Sequence, residues 1–129
     1  MLIVALVLAA LAALVHVYIF VLESLLWTTP RARATFGTSA EQAAANKEMA
    51  FNQGFYNLFL AVLAGVGVIV VAAGDPTVGI TLVVGGTGSM AAAALVLLLT
   101  SPDKRGAALK QLAAPGLALI ALAVAALLG

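Results

Sequence analysis

Residues 2–27 read LIVALVLAALAALVHVYIFVLESLLW, an apolar run interrupted by one imidazole and one carboxylate. A helix needs about 20 apolar residues to cross a hydrocarbon core about 30 Å thick, and this run exceeds that length. Strands of a membrane barrel would instead alternate apolar and polar residues over segments of about ten. No Lys or Arg precedes the run, so we expect a retained membrane-spanning helix and not a secretory signal.

Three further apolar runs follow at residues 49–73, 77–100 and 107–128. Hydrophobic residues make up 64% of the chain and charged residues only 9%, which excludes a soluble globular fold because too little polar surface is available. The sequence therefore predicts one integral membrane domain over residues 1–129, an all-α four-helix transmembrane bundle with helices at about 2–27, 49–73, 77–100 and 102–128. Residues 28–48 are predicted to form a cytoplasmic loop with a short helical extension.

Two helix starts and one kink are marked by specific residues. Asp75 before Pro76 has the pattern of a capping residue followed by proline at the first helical position. Ser39 with Gln42 three residues later has the pattern of a capping box. Pro115 lies inside the fourth run and is expected to kink that helix.

The connections between the helices differ in positive charge. Three Lys or Arg residues precede helix two and three precede helix four: Arg31, Arg33, Lys47, Lys104, Arg105 and Lys110. The connection between helices two and three carries only Asp75. Because positively charged loops are retained on the cytoplasmic side, we predict that both termini lie outside. The predicted location is the inner membrane of a bacterium, crossed several times.

The residue inventory excludes several kinds of chemistry. The chain has no cysteine, which excludes disulfides, thiolate metal sites and cysteine nucleophiles. Its one histidine, His16, excludes metal sites that need two imidazoles from one chain. The six cations lie in three short stretches and form no basic track, so nucleic acid is not an expected partner. We predict no cofactor and no metal, with membrane lipid as a partner.

Helix one carries two ionisable residues, His16 and Glu23, that form the first half of a candidate site. A charge inside a bilayer costs about 2.5 to 3.5 kcal/mol on insertion scales, so such residues are candidate functional groups. A spacing of seven residues places the two within about 20° on one stripe of the helix, which Trp27 shares. The alternatives are that Glu23 extends to the interface or pairs with a loop arginine, and that His16 makes a structural hydrogen bond to a neighbouring helix.

Helix two supplies the second half of the site. Four polar residues share an arc of about 140° on its helical wheel: Asn52, Gln53, Tyr56 and Asn57. Amide and phenol groups are costly to expose to lipid, so they should face other helices, water or a ligand. Counting inward from the loop places Glu23 near Asn52 and Gln53. The same count places His16 near Tyr56 and Asn57. We predict that all six converge on one polar cavity in the cytoplasmic half of the membrane, the alternative being interhelical hydrogen bonding alone.

Small residues are concentrated on helix three: Gly85, Gly88, Ser89, Ala92 and Ala93. Small side chains let another helix approach closely, which is how helices associate where lipid provides no hydrophobic driving force. We predict that Gly85, Ser89 and Ala92 pack against another helix. Helix three is also the surface through which a homo-oligomer is expected to form.

Several segments of this chain form a recognisable pattern. Helix one and its loop contain His16-Val17-Tyr18, Leu22-Glu23, Leu26-Trp27-Thr28, Pro30-Arg31 and Phe36-Gly37, and residues 52–61 read NQGFYNLFLA. Together they resemble a family of small bacterial membrane proteins known as domain of unknown function 1304, over nearly the whole chain. The resemblance implies a four-helix integral membrane protein and implies no activity. The family's recurring polar residues fall on His16, Glu23, Asn52, Gln53, Tyr56 and Asn57.

Three functions are compatible with these features. The first is an intramembrane polar pocket for a small lipophilic or amphiphilic ligand, in which Glu23 and His16 handle protons as the candidate catalytic groups. The candidate ligand-binding residues are Trp27, Asn52, Gln53, Tyr56 and Asn57. The second is proton-coupled small-molecule transport by a dimer, and the third is a structural or assembly subunit. Whether the protein is an enzyme stays open.

Overall fold

The computed structural model describes residues 1–129 and is built of helices and their connections alone. The first spanning segment is α1 (Leu2–Phe20), which a π-helical turn (Val21–Leu25) continues. Two short helices follow, α2 (Pro30–Phe36) and α3 (Ala40–Ala45). The other long helices are α4 (Lys47–Ala72), α5 (Pro76–Thr100) and α6 (Arg105–Leu128), with a 3₁₀ turn (Pro102–Lys104) before α6. The predicted all-α fold class is confirmed.

Four segments are long and apolar enough to cross a membrane: Leu2–Leu25, Lys47–Ala72, Pro76–Thr100 and Pro102–Leu128. Their outer surfaces are apolar as well, since large side chains such as Ile3 and Leu99 are 78% and 80% exposed. A surface of this kind is stable against lipid hydrocarbon and unfavourable against water. The protein is therefore a multi-pass membrane protein.

The four spanning helices form a ring in which α1 and α5 each pack against both α4 and α6. Alanine dominates the interior, and its small side chain lets the helices approach closely. The end of the bundle away from α2 is packed by Ala5, Ala9, Val83, Ala118, Ala121 and Leu122. The middle is packed by Ala12, Ala13, Ala61, Ala64 and Met90. Packed hydrophobic clusters thus extend from near this end to the middle of the bundle.

Both predicted caps are confirmed. The Asp75 carboxylate accepts a hydrogen bond from the Val78 backbone N–H at 3.0 Å, and proline occupies the first turn of α5. The Ser39 hydroxyl and the Gln42 side chain each accept from the other residue's backbone N–H at 3.1 Å, which completes the capping box of α3. α6 continues past Pro115, which is buried.

The packing face of α5 differs from the predicted one. Gly85, Ser89 and Ala92 are exposed, and a Cβ placed on Gly85 would meet only the tip of the Leu63 side chain of α4, at 3.6 Å. α5 instead approaches α4 through Gly79 and Gly86, and a Cβ placed on Gly86 would lie 2.8 Å from the Ala64 backbone nitrogen. Small residues occur on two sides of α5, about 100° apart, so their presence alone did not indicate which side packs. Association of two copies through the outward face stays a prediction.

The two positively charged connections lie at the same end of the bundle, hereafter the loop end. The Lys104 ammonium, in the turn before α6, donates to the Phe36 carbonyl at the end of α2 over 3.0 Å. The connection between α4 and α5, with Asp75, lies at the opposite end. Positive charge is therefore confined to one side of the membrane, which is the arrangement that the cytoplasmic retention rule requires.

Single-cysteine labelling tests the predicted orientation, because the natural chain has no cysteine to interfere. We expect Thr77→Cys to react with a membrane-impermeant maleimide added from outside the cell. Ala34→Cys, on an exposed position of α2, is the matched variant and should react only after the cytoplasmic side is opened. Labelling of Thr77→Cys from the cytoplasmic side alone would show that the termini lie inside.

Candidate ligand-binding site

A cavity of about 820 Å³ opens at the loop end of the bundle. Its lining comes from all four spanning helices and from α2, α3 and the turn before α6. The volume falls within the range of roughly 300 to 1,000 Å³ that is typical of small-molecule sites. It is bounded in depth by the alanine-rich packing in the middle of the bundle, where Met90 belongs to both the core and the cavity wall.

Most of the residues predicted to form a site line this cavity. Five do so: His16, Glu23, Trp27, Gln53 and Asn57. They come from α1, the π-helical turn and the connection after it, and α4. The α4 residues Asn52 and Tyr56 do not line the cavity.

Asn52 and Tyr56 point away from the site, contrary to the prediction. Tyr56 is 66% exposed on the outer surface, and the Asn52 amide donates to the Glu48 carbonyl of its own helix at 3.1 Å. The midpoint between Gln53 and Asn57 defines the cavity side of α4, and at 100° per residue Tyr56 lies about 80° from it and Asn52 about 120°. An arc of 140° was therefore too wide to face one cavity.

Glu23 lies in the π-helical turn, a feature that the sequence did not reveal. The turn is closed by a hydrogen bond from the Leu26 N–H to the Val21 carbonyl at 3.0 Å, five residues apart. Such turns are rare and occur frequently at functional sites. The Glu23 side chain is only 8% exposed, and its Oε2 accepts from the Asn57 amide at 2.8 Å.

The alternative in which Glu23 pairs with a loop arginine is wrong. The structure contains one ion pair, between Lys104 and Asp103 at 3.7 Å, and Glu23 takes no part in it. Arg31 instead donates to the Tyr18 hydroxyl at 2.9 Å on the outside of the bundle. The Glu23 carboxylate is thus buried in the membrane-spanning region without a protein counter-ion.

The partner of Glu23 lies about one turn deeper in α4 than predicted. Depth counting paired Glu23 with Asn52 and Gln53, whereas the hydrogen bond is to Asn57. The first segment ends at Leu25, only two residues after Glu23, but α4 begins at Lys47, ten residues before Asn57. α4 therefore extends about 12 Å beyond the end of the first helix, at 1.5 Å per residue.

Gly54 allows α4 to approach the π-helical turn closely. A Cβ on Gly54 would contact the Ser24 hydroxyl and would lie 3.0 Å from the Ser24 backbone nitrogen and 3.1 Å from the Glu23 Cβ. The Ser24 hydroxyl donates to the Phe51 carbonyl at 2.8 Å across the same contact. Sequence reasoning passed over this glycine, although its place among the polar residues of α4 was a signal of close helix approach.

His16 continues the buried stripe that Ala5, Ala9 and Ala12 form along α1, and it is 2% exposed. Its Nδ1 lies 2.9 Å from the Ala12 carbonyl. A carbonyl oxygen only accepts, so Nδ1 carries a proton and the neutral ring presents Nε2 as an acceptor. The structural hydrogen bond of His16 is therefore made within its own helix and not to a neighbouring one.

The rest of the lining came from elements that sequence reasoning had not connected with the site. α5 supplies a mainly apolar wall: Met90, Ala93, Val96 and Leu97. Polar side chains surround the loop end: Thr38, Gln42, Asn46, Lys104 and Gln111. Trp27 packs on Phe36 with ring centroids 5.4 Å apart. No group of three or more His, Cys, Asp or Glu residues is placed to hold a metal ion.

These features define a class: a small α-helical membrane protein whose four spanning helices enclose a partly polar cavity at one end. The chain belongs to the family described as "Protein of unknown function (DUF1304)", whose model matches residues 10–123. Comparison with curated proteins and with solved structures found no match for this chain. The family resemblance inferred from the sequence is thereby confirmed.

Proposed function

We propose that this protein binds a small lipophilic or amphiphilic molecule in the loop-end cavity. The observation that carries the proposal is that a carboxylate, an imidazole and an amide line one space of about 820 Å³ inside the bundle, in which the carboxylate and the amide are joined by a hydrogen bond. Polar groups at this depth are costly unless water, protein or a ligand satisfies them. The location that we propose is the inner membrane of a bacterium, with the cavity mouth facing the cytoplasm.

The distribution of polarity along the cavity matches an amphiphile. The wall from α5 is mainly apolar, Glu23, His16 and Asn57 line the side formed by the first segment and α4, and polar side chains surround the loop end. An elongated molecule with a polar head and an apolar body would find a matching surface at each level. Glu23 and His16 are the groups that would take up or release protons in any reaction of the bound molecule.

The packing at the other end of the bundle favours binding over transport. Ala5, Ala9, Val83 and Ala118 are fully buried in one packed cluster, and none of them lines the cavity. Transport requires the site to open to each side in turn, and this packed cluster lies between the site and the opposite end of the bundle. A purely structural subunit would need no cavity of this size.

Filling the cavity tests the proposal. In Ala93→Phe an aromatic ring enters the space from the α5 wall, and we expect it to abolish binding. Binding can be followed through Trp27, the only tryptophan, which lines the cavity and should be quenched by chain-brominated dodecyl amphiphiles added to nanodiscs. Saturable quenching is expected for the natural protein and its loss is expected for Ala93→Phe.

The matched control is Ala113→Phe, which adds the same ring at a similar depth on an exposed position of α6 outside the cavity. It should keep saturable quenching. Equal quenching in both variants would place the amphiphile in the surrounding lipid, and the proposed binding function would then be wrong.

A further inference from the structure

We propose that the molecule bound in the cavity carries a protonated primary or secondary amine, held at the hydrogen-bonded Glu23 and Asn57 in the cavity that His16 also lines. This inference rests on the proposed binding function and names the chemical class of the ligand. It follows from which atoms of the three side chains are already used by the protein and which are left for a ligand.

The two side chains that carry N–H donors, Asn57 and His16, use them within the protein. The Asn57 amide donates to Glu23 Oε2 at 2.8 Å and to the Gln53 carbonyl at 3.2 Å, which occupies both of its N–H bonds. The His16 Nδ1–H is directed to the Ala12 carbonyl at 2.9 Å. The atoms without a protein partner are Glu23 Oε1, Asn57 Oδ1 and His16 Nε2. With Glu23 ionised and His16 neutral, all three are acceptors.

These acceptors can be reached from the cavity. All three residues line it, and none of the three free atoms is among the side-chain atoms that are both buried and unpartnered. Two donors are buried without a partner, the Trp27 indole N–H and the Arg33 Nε–H, and both are closed to a ligand; Arg33 does not line the cavity. An ammonium group has N–H donors only and no acceptor, which complements a cavity whose free polar atoms at these residues are acceptors.

Charge points to the same class of head group. Glu23 has no counter-ion in the protein, and Lys104, the cation that lines the cavity, is directed to Phe36 and Asp103. A buried carboxylate is stabilised when an opposite charge and hydrogen bonds accompany it. A carboxylate or phosphate head would meet acceptors and like charge. A hydroxyl would satisfy an acceptor without supplying the counter-charge.

The apolar body of the molecule would lie along the α5 wall toward Val96 and Leu97. A free amphiphilic amine and the head group of an aminolipid share this chemistry. Both offer N–H donors and a positive charge on an apolar chain, so the experiment has to separate them.

The test compares amphiphiles that share one brominated dodecyl chain and differ in their head groups. The protein is held in nanodiscs of phosphatidylcholine, and quenching of Trp27 is the readout. Chain-brominated dodecylammonium should half-saturate at a concentration at least about tenfold lower than brominated dodecanol, because hydrogen bonds between charged groups are about twice as strong as neutral ones. Brominated dodecanoate should bind most weakly. Brominated dodecyltrimethylammonium keeps the charge without N–H donors and should bind about tenfold more weakly than the ammonium.

Glu23→Gln should remove the preference for the ammonium head, since glutamine can still accept from Asn57 but presents an N–H where the free oxygen was. Glu48→Gln, an exposed carboxylate outside the cavity, is the matched control and should keep the preference. The trimethylammonium comparison uses the natural protein and so does not depend on the folding of a variant. Phosphatidylethanolamine added to the nanodisc should compete if the ligand is an aminolipid and should have no effect if it is a free amine.

The outcomes separate the two proposals. If no amphiphile gives quenching that Ala93→Phe abolishes, the binding function itself is wrong. If dodecanol, dodecanoate or trimethylammonium binds as tightly as dodecylammonium and Ala93→Phe still blocks it, the cavity binds ligands but the amine inference is overturned. If Glu23 were protonated, it would present an O–H donor and no negative charge to the ligand. A preference for dodecanol or dodecanoate would be the result expected in that case, and it would overturn the amine inference.

Discussion

Gly86→Leu should lower the stability of the folded protein by about 3 kcal/mol or more, the upper part of the range for overpacked interiors. A Cβ at Gly86 would lie 2.8 Å from the Ala64 nitrogen and 2.9 Å from the Ala64 Cβ. Backbone cannot move aside as a flexible side chain can, so α4 and α5 must separate. Thermal or chemical unfolding in detergent, followed by the loss of helical signal, measures the change.

The matched control is Gly88→Leu, because a Cβ at Gly88 meets nothing within 4 Å. It makes the same change of residue type in the same helix and gains the same helix propensity, about 1 kcal/mol relative to glycine. It should be neutral or slightly stabilising. If both variants unfold alike, α5 does not pack through Gly86 and the arrangement of α4 and α5 is wrong.

Gly54→Leu should damage the site and the fold together. Its side chain would meet Ser24 and the Glu23 Cβ, so α4 must move away from the π-helical turn. That movement breaks the Asn57–Glu23 hydrogen bond and the Ser24–Phe51 hydrogen bond. We expect a loss of about 2 to 3 kcal/mol in stability, together with loss of the saturable Trp27 quenching by dodecylammonium.

Gly65→Leu is the matched control for this variant. It lies in the same helix, and a Cβ at Gly65 meets nothing within 4 Å. Stability and quenching should both be retained. Retained quenching in Gly54→Leu, at unchanged stability, would mean that the close approach at the π-helical turn does not position Glu23.

The features that the sequence predicted are those that depend on local rules. Apolar run length gave the four spanning helices, and the short-range patterns at Asp75 and Ser39 gave two helix starts, because a capping side chain acts within three residues of itself. The cost of a charge in hydrocarbon singled out Glu23 and His16, and both line the cavity. Each of these inferences needed only the composition or the spacing of one segment.

The features that it missed depend on how the helices meet. The π-helical turn has no sequence signature of its own, and it appears only where Glu23 and Ser24 contact α4. Helical-wheel positions gave a polar arc, but the direction of the neighbours decided that Gln53 and Asn57 face inward while Asn52 and Tyr56 face outward. The packing face of α5 was predicted on the wrong side of the helix for the same reason, since small residues cover more than one side of it.

The distance between the Glu23 carboxyl carbon and the Asn57 side-chain nitrogen, measured by solid-state NMR dipolar coupling in lipid bilayers, tests the site most directly. A hydrogen bond with N···O of 2.8 Å places these two nuclei within about 4 Å, and the coupling should show it in the natural protein. The coupling should persist in Gly65→Leu and disappear in Gly54→Leu. Absence of the coupling in the natural protein would show that the two side chains face different surroundings, and the polar pair in the cavity wall on which the binding proposal rests would not exist.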